Sequence, residues 1–157
     1  MIRILILFIL YINTVNANTA NIIADKKAGT ITVYYQDKVI TQPALFGKVI
    51  SNELNMKNYD YPGKFDGITP AGSFALTKIF SWHLNEDMLV YINGKASVGA
   101  IHPLWMKNPN QHRVERLRGT DPSLRRITGG CINVDREFFY NVLNKLPDDT
   151  TLTILPE

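Results

Sequence analysis

From Ile22 to Pro43 the chain alternates apolar and polar residues with a period of two and is rich in β-branched side chains. Ile22–Asp25, Thr30–Tyr35 and Lys38–Pro43 carry the pattern, and Ala28-Gly29 and Gln36-Asp37 interrupt it at turn positions. A period of two puts every second side chain on one face, so these residues can bury themselves only as sheet. Ser73–Phe80, Met88–Ile92, Ser97–His102 and the final Thr150–Leu155 extend the strand pattern. Helical spacing is clear once, after Asp135, where Phe138, Phe139, Val142, Leu143 and Leu146 share a face and Asp135 can cap the first turn. A second, short helix fits around His112–Arg118. The expected class is mainly β, with one main helix after residue 131.

The first residues differ in kind. Arg3 precedes an unbroken apolar run, Ile4–Ile12, which is followed by Val15-Asn16-Ala17. A short apolar run ending in small residues suits a secretory signal over residues 1–17, removed on export. Nine apolar residues fall short of the roughly 20 that span a bilayer, so no stable membrane insertion is expected after cleavage. The domain is then expected over residues 21–157, in the periplasm, cell envelope or medium of a bacterium. Loss of Arg3 leaves 16 basic and 14 acidic residues. So mild a charge, on an exported protein, argues against nucleic acid as partner.

An exported chain normally uses cysteines in pairs, and this one has a single cysteine, Cys131. It stands in Thr128-Gly129-Gly130-Cys131-Ile132-Asn133. Two glycines allow a tight turn that aims successive amides into one concavity, the arrangement an oxyanion requires beside a nucleophile. The same string also fits a plain turn before a buried, inert thiol. A thiol of ordinary pKa near 8.5 needs a base or a cation to act near neutrality. His102, at the end of the apolar run Val98–Ile101, would project from a rigid sheet rim. His112 lies in a polar segment and is the competing base, while His83 beside Trp82 suits a surface or packing role. Lys107 to Arg126 holds six basic residues against Glu115 and Asp121. That local positive field favours an anionic substrate, and Arg126 is the arginine best placed to contact it. No Cys/His spacing points to a metal, and no cofactor is expected.

These segments resemble the L,D-transpeptidase catalytic domain (YkuD-like), in its subfamily with an Arg-rich insertion between the histidine and the Gly-Cys motif. Ile101-His102, then Arg126-Ile127-Thr128-Gly129-Gly130-Cys131-Ile132-Asn133, follow the family's order, and Thr69-Pro70-Ala71-Gly72-Ser73-Phe74 resembles its Thr-Pro-x-Gly-x-Phe segment. Gly129 departs from the pattern, where many members have histidine. The resemblance implies a β-sandwich carrying Cys131 as nucleophile and His102 as base, with the Pro103 carbonyl orienting the base. It implies that the amides of Gly129, Gly130 and Cys131 hold the oxyanion, that Thr128 and Asn133 shape the turn or contact substrate, and it gives Arg126 the carboxylates of the substrate to bind. The implied substrate is the tetrapeptide stem of peptidoglycan, attacked at the bond before its terminal D-alanine. Transfer goes to an amine or to water. A non-catalytic peptidoglycan-binding module on the same fold is the alternative. An accessible thiol of depressed pKa would favour catalysis, and a buried, unreactive one the module. The Gly47–Thr69 stretch is expected to be a long loop over the groove.

Overall fold

The structure is a computed structural model and describes residues 19–53, 66–94 and 96–157. The proposed signal and most of the loop after Gly47 lie outside the described residues. Nine strands form one sheet: β1 (Asn21–Asp25), β2 (Thr30–Tyr35), β3 (Lys38–Gly47), β4 (Gly72–Ser81), β5 (Glu86–Asn93), β6 (Ala96–Pro103), β7 (Arg126–Thr128), β8 (Ile132–Val134) and β9 (Thr151–Ile154). Their order is β2-β1-β9-β4-β5-β6-β8-β3-β7. A further pairing of β2 with β3 closes the ring and leaves β7 attached to β3. The mainly β expectation holds, and closure removes the exposed edges that an open sheet would present.

The alternation in β1 and β2 does what its period requires. Ile22, Ala24, Ile31 and Val33 are buried, and the residues between them face outward or lie half-buried. β3 runs past its expected end at Pro43 to Gly47 because Ala44, Leu45 and Phe46 pair onward with β8 and β7 and are fully buried. β7 and β8 are three-residue strands that alternation could not announce. All of β8 is buried, so it has no solvent-exposed face.

Among the described residues the two α-helices stand where the sequence places them, α1 over Arg113–Arg118 and α2 over Arg136–Asn141. The Asp135 carboxylate caps α2 by accepting from the amides of Glu137 (2.9 Å) and Phe138 (3.2 Å). The helix gives way to a 3-10 turn at Leu143–Lys145, and Phe138, Phe139, Leu143 and Leu146 join the same buried cluster as Ile22, Val33 and Ile154. Because the cap answers two otherwise unpaired amides of a short helix, Asp135→Ala should cost about 1 kcal/mol. Urea unfolding of the two proteins measures this directly, and an unchanged midpoint would show that packing alone holds α2.

Candidate functional site

β6 and β8 run parallel, with Ile101 opposite Ile132, His102 opposite Asn133 and Pro103 opposite Val134. This pairing closes the 29-residue interval between His102 and Cys131. Side chains two apart along a strand share a face, so the pleat puts His102 and Asn133 on the same side, and Cys131 enters β8 on that side as well. A cavity of about 460 Å³ opens there, lined among others by His102, Cys131, Asn133, Thr128, Arg113 and Trp105. His112 and Arg126 are absent from its wall. His83 is an exposed residue that also lines the cavity, in keeping with the surface role read from sequence.

The turn carrying the thiol is held by polar groups from four directions. Gly130 has φ +129°, a conformation that side chains disfavour. Its carbonyl accepts from the hydroxyls of Thr69 (2.8 Å) and Tyr91 (3.0 Å). Thr69 Oγ1 in turn accepts from the Gly47 amide at 2.8 Å, tying the turn to the end of β3. The Gly129 carbonyl accepts from the Gly67 amide at 3.1 Å. Thr128 Oγ1 donates to the Cys131 carbonyl (2.6 Å) and accepts from the Gly130 amide (3.1 Å). Thr128 thus shapes the turn. The Gly130 amide, one of the three expected at an oxyanion, is committed inside it. Gly99 lets Tyr91 reach this turn, since a Cβ there would stand 2.1 Å from the Tyr91 hydroxyl.

His102 is buried, 6% exposed, with Nδ1 2.7 Å from the Pro103 carbonyl and Nε2 3.0 Å from Asn133 Nδ2. Arg113 Nη1 donates to Asn133 Oδ1, and its Nε donates to Gln111 Oε1 at 2.7 Å. The guanidinium lies 5.1 Å from the centre of the Trp105 ring. Sequence reasoning did not single out Arg113, because nothing in a run of arginines tells which one is the first residue of a short helix facing a cavity.

Arg126, expected to meet substrate, is engaged elsewhere. It forms an ion pair with Glu157 and approaches the Gly47 carbonyl (3.4 Å) and the Phe46 ring (6.0 Å). Its place in β7, on the far side of β3 from β8, directs it away from the cavity. The cavity's arginine is Arg113.

Burial pushes the Cys131 thiol up to about 11, against the opposing pulls of the Ala100 backbone and the Arg113 cation. The residue nevertheless keeps some exposed surface. Burial also holds His102 below the ordinary histidine value, with Arg113 acting the same way and the Pro103 carbonyl and Glu86 opposing. Near neutrality both groups are therefore uncharged, a thiol beside an imidazole, and no ion pair forms in advance. Among the described residues no group of three or more His, Cys, Asp or Glu side chains could hold a metal ion. No described helix is long and apolar enough to cross a membrane.

No family model and no curated protein matches the sequence. Solved structures do match the fold. An L,D-transpeptidase from Mycobacterium smegmatis superposes with a TM-score of 0.53 at 17% identity, over 87% of this chain and 58% of that one. One from Mycobacterium tuberculosis gives 0.53 at 15% identity, over 87% and 57%. The helical cell shape determining protein Pgp2 from Campylobacter jejuni gives 0.57 at 13% identity, over 90% and 49%. The chain spans about half to three-fifths of the length of these structures.

The raised thiol has a measurable consequence. Alkylation of Cys131 by iodoacetamide should accelerate with pH up to about 11 in the substrate-free protein. A plateau already at pH 8 would mean that the thiol is ionised at rest. The closed β ring with its helix has the fold of the L,D-transpeptidases.

Proposed function

We propose that this chain is an exported peptidoglycan-modifying cysteine acyltransferase, with Cys131 as nucleophile and His102 as base. The observation that carries it is the cavity that brings the chain's single thiol together with a buried histidine whose Nε2 lies 3.0 Å from Asn133 Nδ2. Binding alone gives no reason for that pairing.

The chemistry starts from two neutral groups. Cys131 Sγ attacks the carbonyl carbon before the terminal D-alanine of a tetrapeptide stem, and its proton passes to His102 Nε2, replacing the hydrogen bond from Asn133. Proton transfer during attack avoids an ion pair in a desolvated site. The oxyanion that develops is assigned to the amides of Gly129 and Cys131, since that of Gly130 serves Thr128. The C–N bond then breaks, and the imidazolium returns its proton to the leaving amine of D-alanine. An amine or water next attacks the thioester, His102 removes its proton, and Cys131 leaves as the thiol. An amine gives an L,D-cross-link and water an L,D-carboxypeptidase. The buried Arg113 cation supplies the positive field for the carboxylates of the stem.

A second reading, a binding module without turnover, draws on the raised thiol and on Gly129 at a position where many of the resembled domains have histidine. Mass spectrometry of the protein and its Cys131→Ala variant with tetrapeptide muropeptides separates the two. Acyl transfer predicts loss of D-alanine, a thioester adduct on Cys131, and neither in the variant. His102→Ala should slow turnover by about 10²–10⁴-fold. Retention of muropeptide by the folded wild type with neither adduct nor D-alanine release would assign the module.

A further inference from the structure

Arginine only donates hydrogen bonds and a backbone carbonyl only accepts them. His102 and Asn133 lie between one of each. Because Arg113 donates to Asn133, the amide must turn its oxygen toward the guanidinium and its NH2 toward His102. His102 Nε2 then faces a donor at 3.0 Å and must carry a lone pair, while Nδ1 carries the proton and donates to the Pro103 carbonyl at 2.7 Å. The opposite tautomer would set two donors against each other at Nε2 and two acceptors at Nδ1. From this chain of bonds we infer that Arg113 is a positioning residue which, acting through Asn133, fixes His102 in the tautomer whose Nε2 can accept the Cys131 proton.

The inference rests on His102 being the base proposed above. The Pro103 carbonyl favours the same tautomer, but it sits at one end only. With Arg113 absent, Asn133 can rotate its oxygen toward His102 and stabilise a proton on Nε2. The guanidinium is itself held in place. It is 8% exposed, stacked on Trp105 and tied to Gln111, so one rigid fork addresses Gln111 and Asn133 together. Lysine offers no such fork. The charged and titratable groups facing this network are Cys131, Arg113 on α1, His83 across the cavity, and Glu86 on β5, itself paired with Arg136.

Long-range 1H–15N correlation spectra of the imidazole rings in the full chain test this at pH 7.5, with the His102 signals assigned by their loss in His102→Gln. Wild type should show a protonated Nδ1 and a bare Nε2. Asn133→Asp, which offers His102 an acceptor, should place a proton on Nε2. Arg113→Met should give a mixture of tautomers, while Arg113→Gln, which keeps a donor, should retain the wild-type one. A purely structural role for Arg113 predicts no such split between methionine and glutamine. A proton on Nε2 in wild type, or a folded Arg113→Met indistinguishable from wild type, would overturn the inference. If Arg113→Met does not fold, the contrast of Arg113→Gln with Asn133→Asp decides. The readout needs no turnover: the expected tautomers without D-alanine release would sink the acyltransferase reading and leave the positioning role in place.

Discussion

The parallel pairing of β6 with β8 is the constraint on which the site depends. Parallel neighbours cannot be joined by a tight turn, so residues 104–131 must travel away and return before the pairing forms. The burial of Ile101, Ile132 and Val134, each fully enclosed, specifies the register. A slip of one residue would turn Cys131 and Asn133 to the opposite face and leave His102 without either. Hydrophobic burial of Ile101, Ile132 and Val134 thus aims the residues that alternate with them, His102, Cys131 and Asn133.

Burial alone would not shape the turn before Cys131. That task falls to polar groups that have few alternatives, because a buried carbonyl left without donors costs more than a satisfied one contributes. The Gly130 carbonyl takes two hydroxyls, from residues 61 and 39 positions away, and Thr128 closes the turn from within. The same low-dielectric surroundings keep the thiol and the imidazole neutral. In such surroundings the proton stays on sulfur in the substrate-free protein. This is a different resting state from the thiolate that an exposed, cation-flanked cysteine would hold.

The basic segment shows how far a charge run falls short of a site. Arg125 is buried and donates to the carbonyls of Gly29 (2.8 Å) and Gly119 (2.6 Å). Arg116 serves the carbonyls of Gln111 (2.9 Å) and Leu124 (2.8 Å). Arg126 pairs with Glu157. These side chains bind irregular backbone together, since a segment with little helix or strand has carbonyls to satisfy. Arg113 is the exception that faces the cavity.

The alternation of Ile22–Pro43, the helical face after Asp135 and the isolation of Cys131 behind two glycines were legible in the chain, because each is a local rule of spacing or sterics. They were enough to give the mainly β class, the position of α2 and the thiol and histidine to compare. The three-residue strands β7 and β8 were not legible, since three residues, buried on every side in β8, carry no period. Nor could the sequence choose among the arginines or foresee the thiol's raised pKa. Those outcomes depend on which distant groups closure of the ring brings within hydrogen-bond reach and removes from water, and neither contact nor burial exists until the tertiary structure forms.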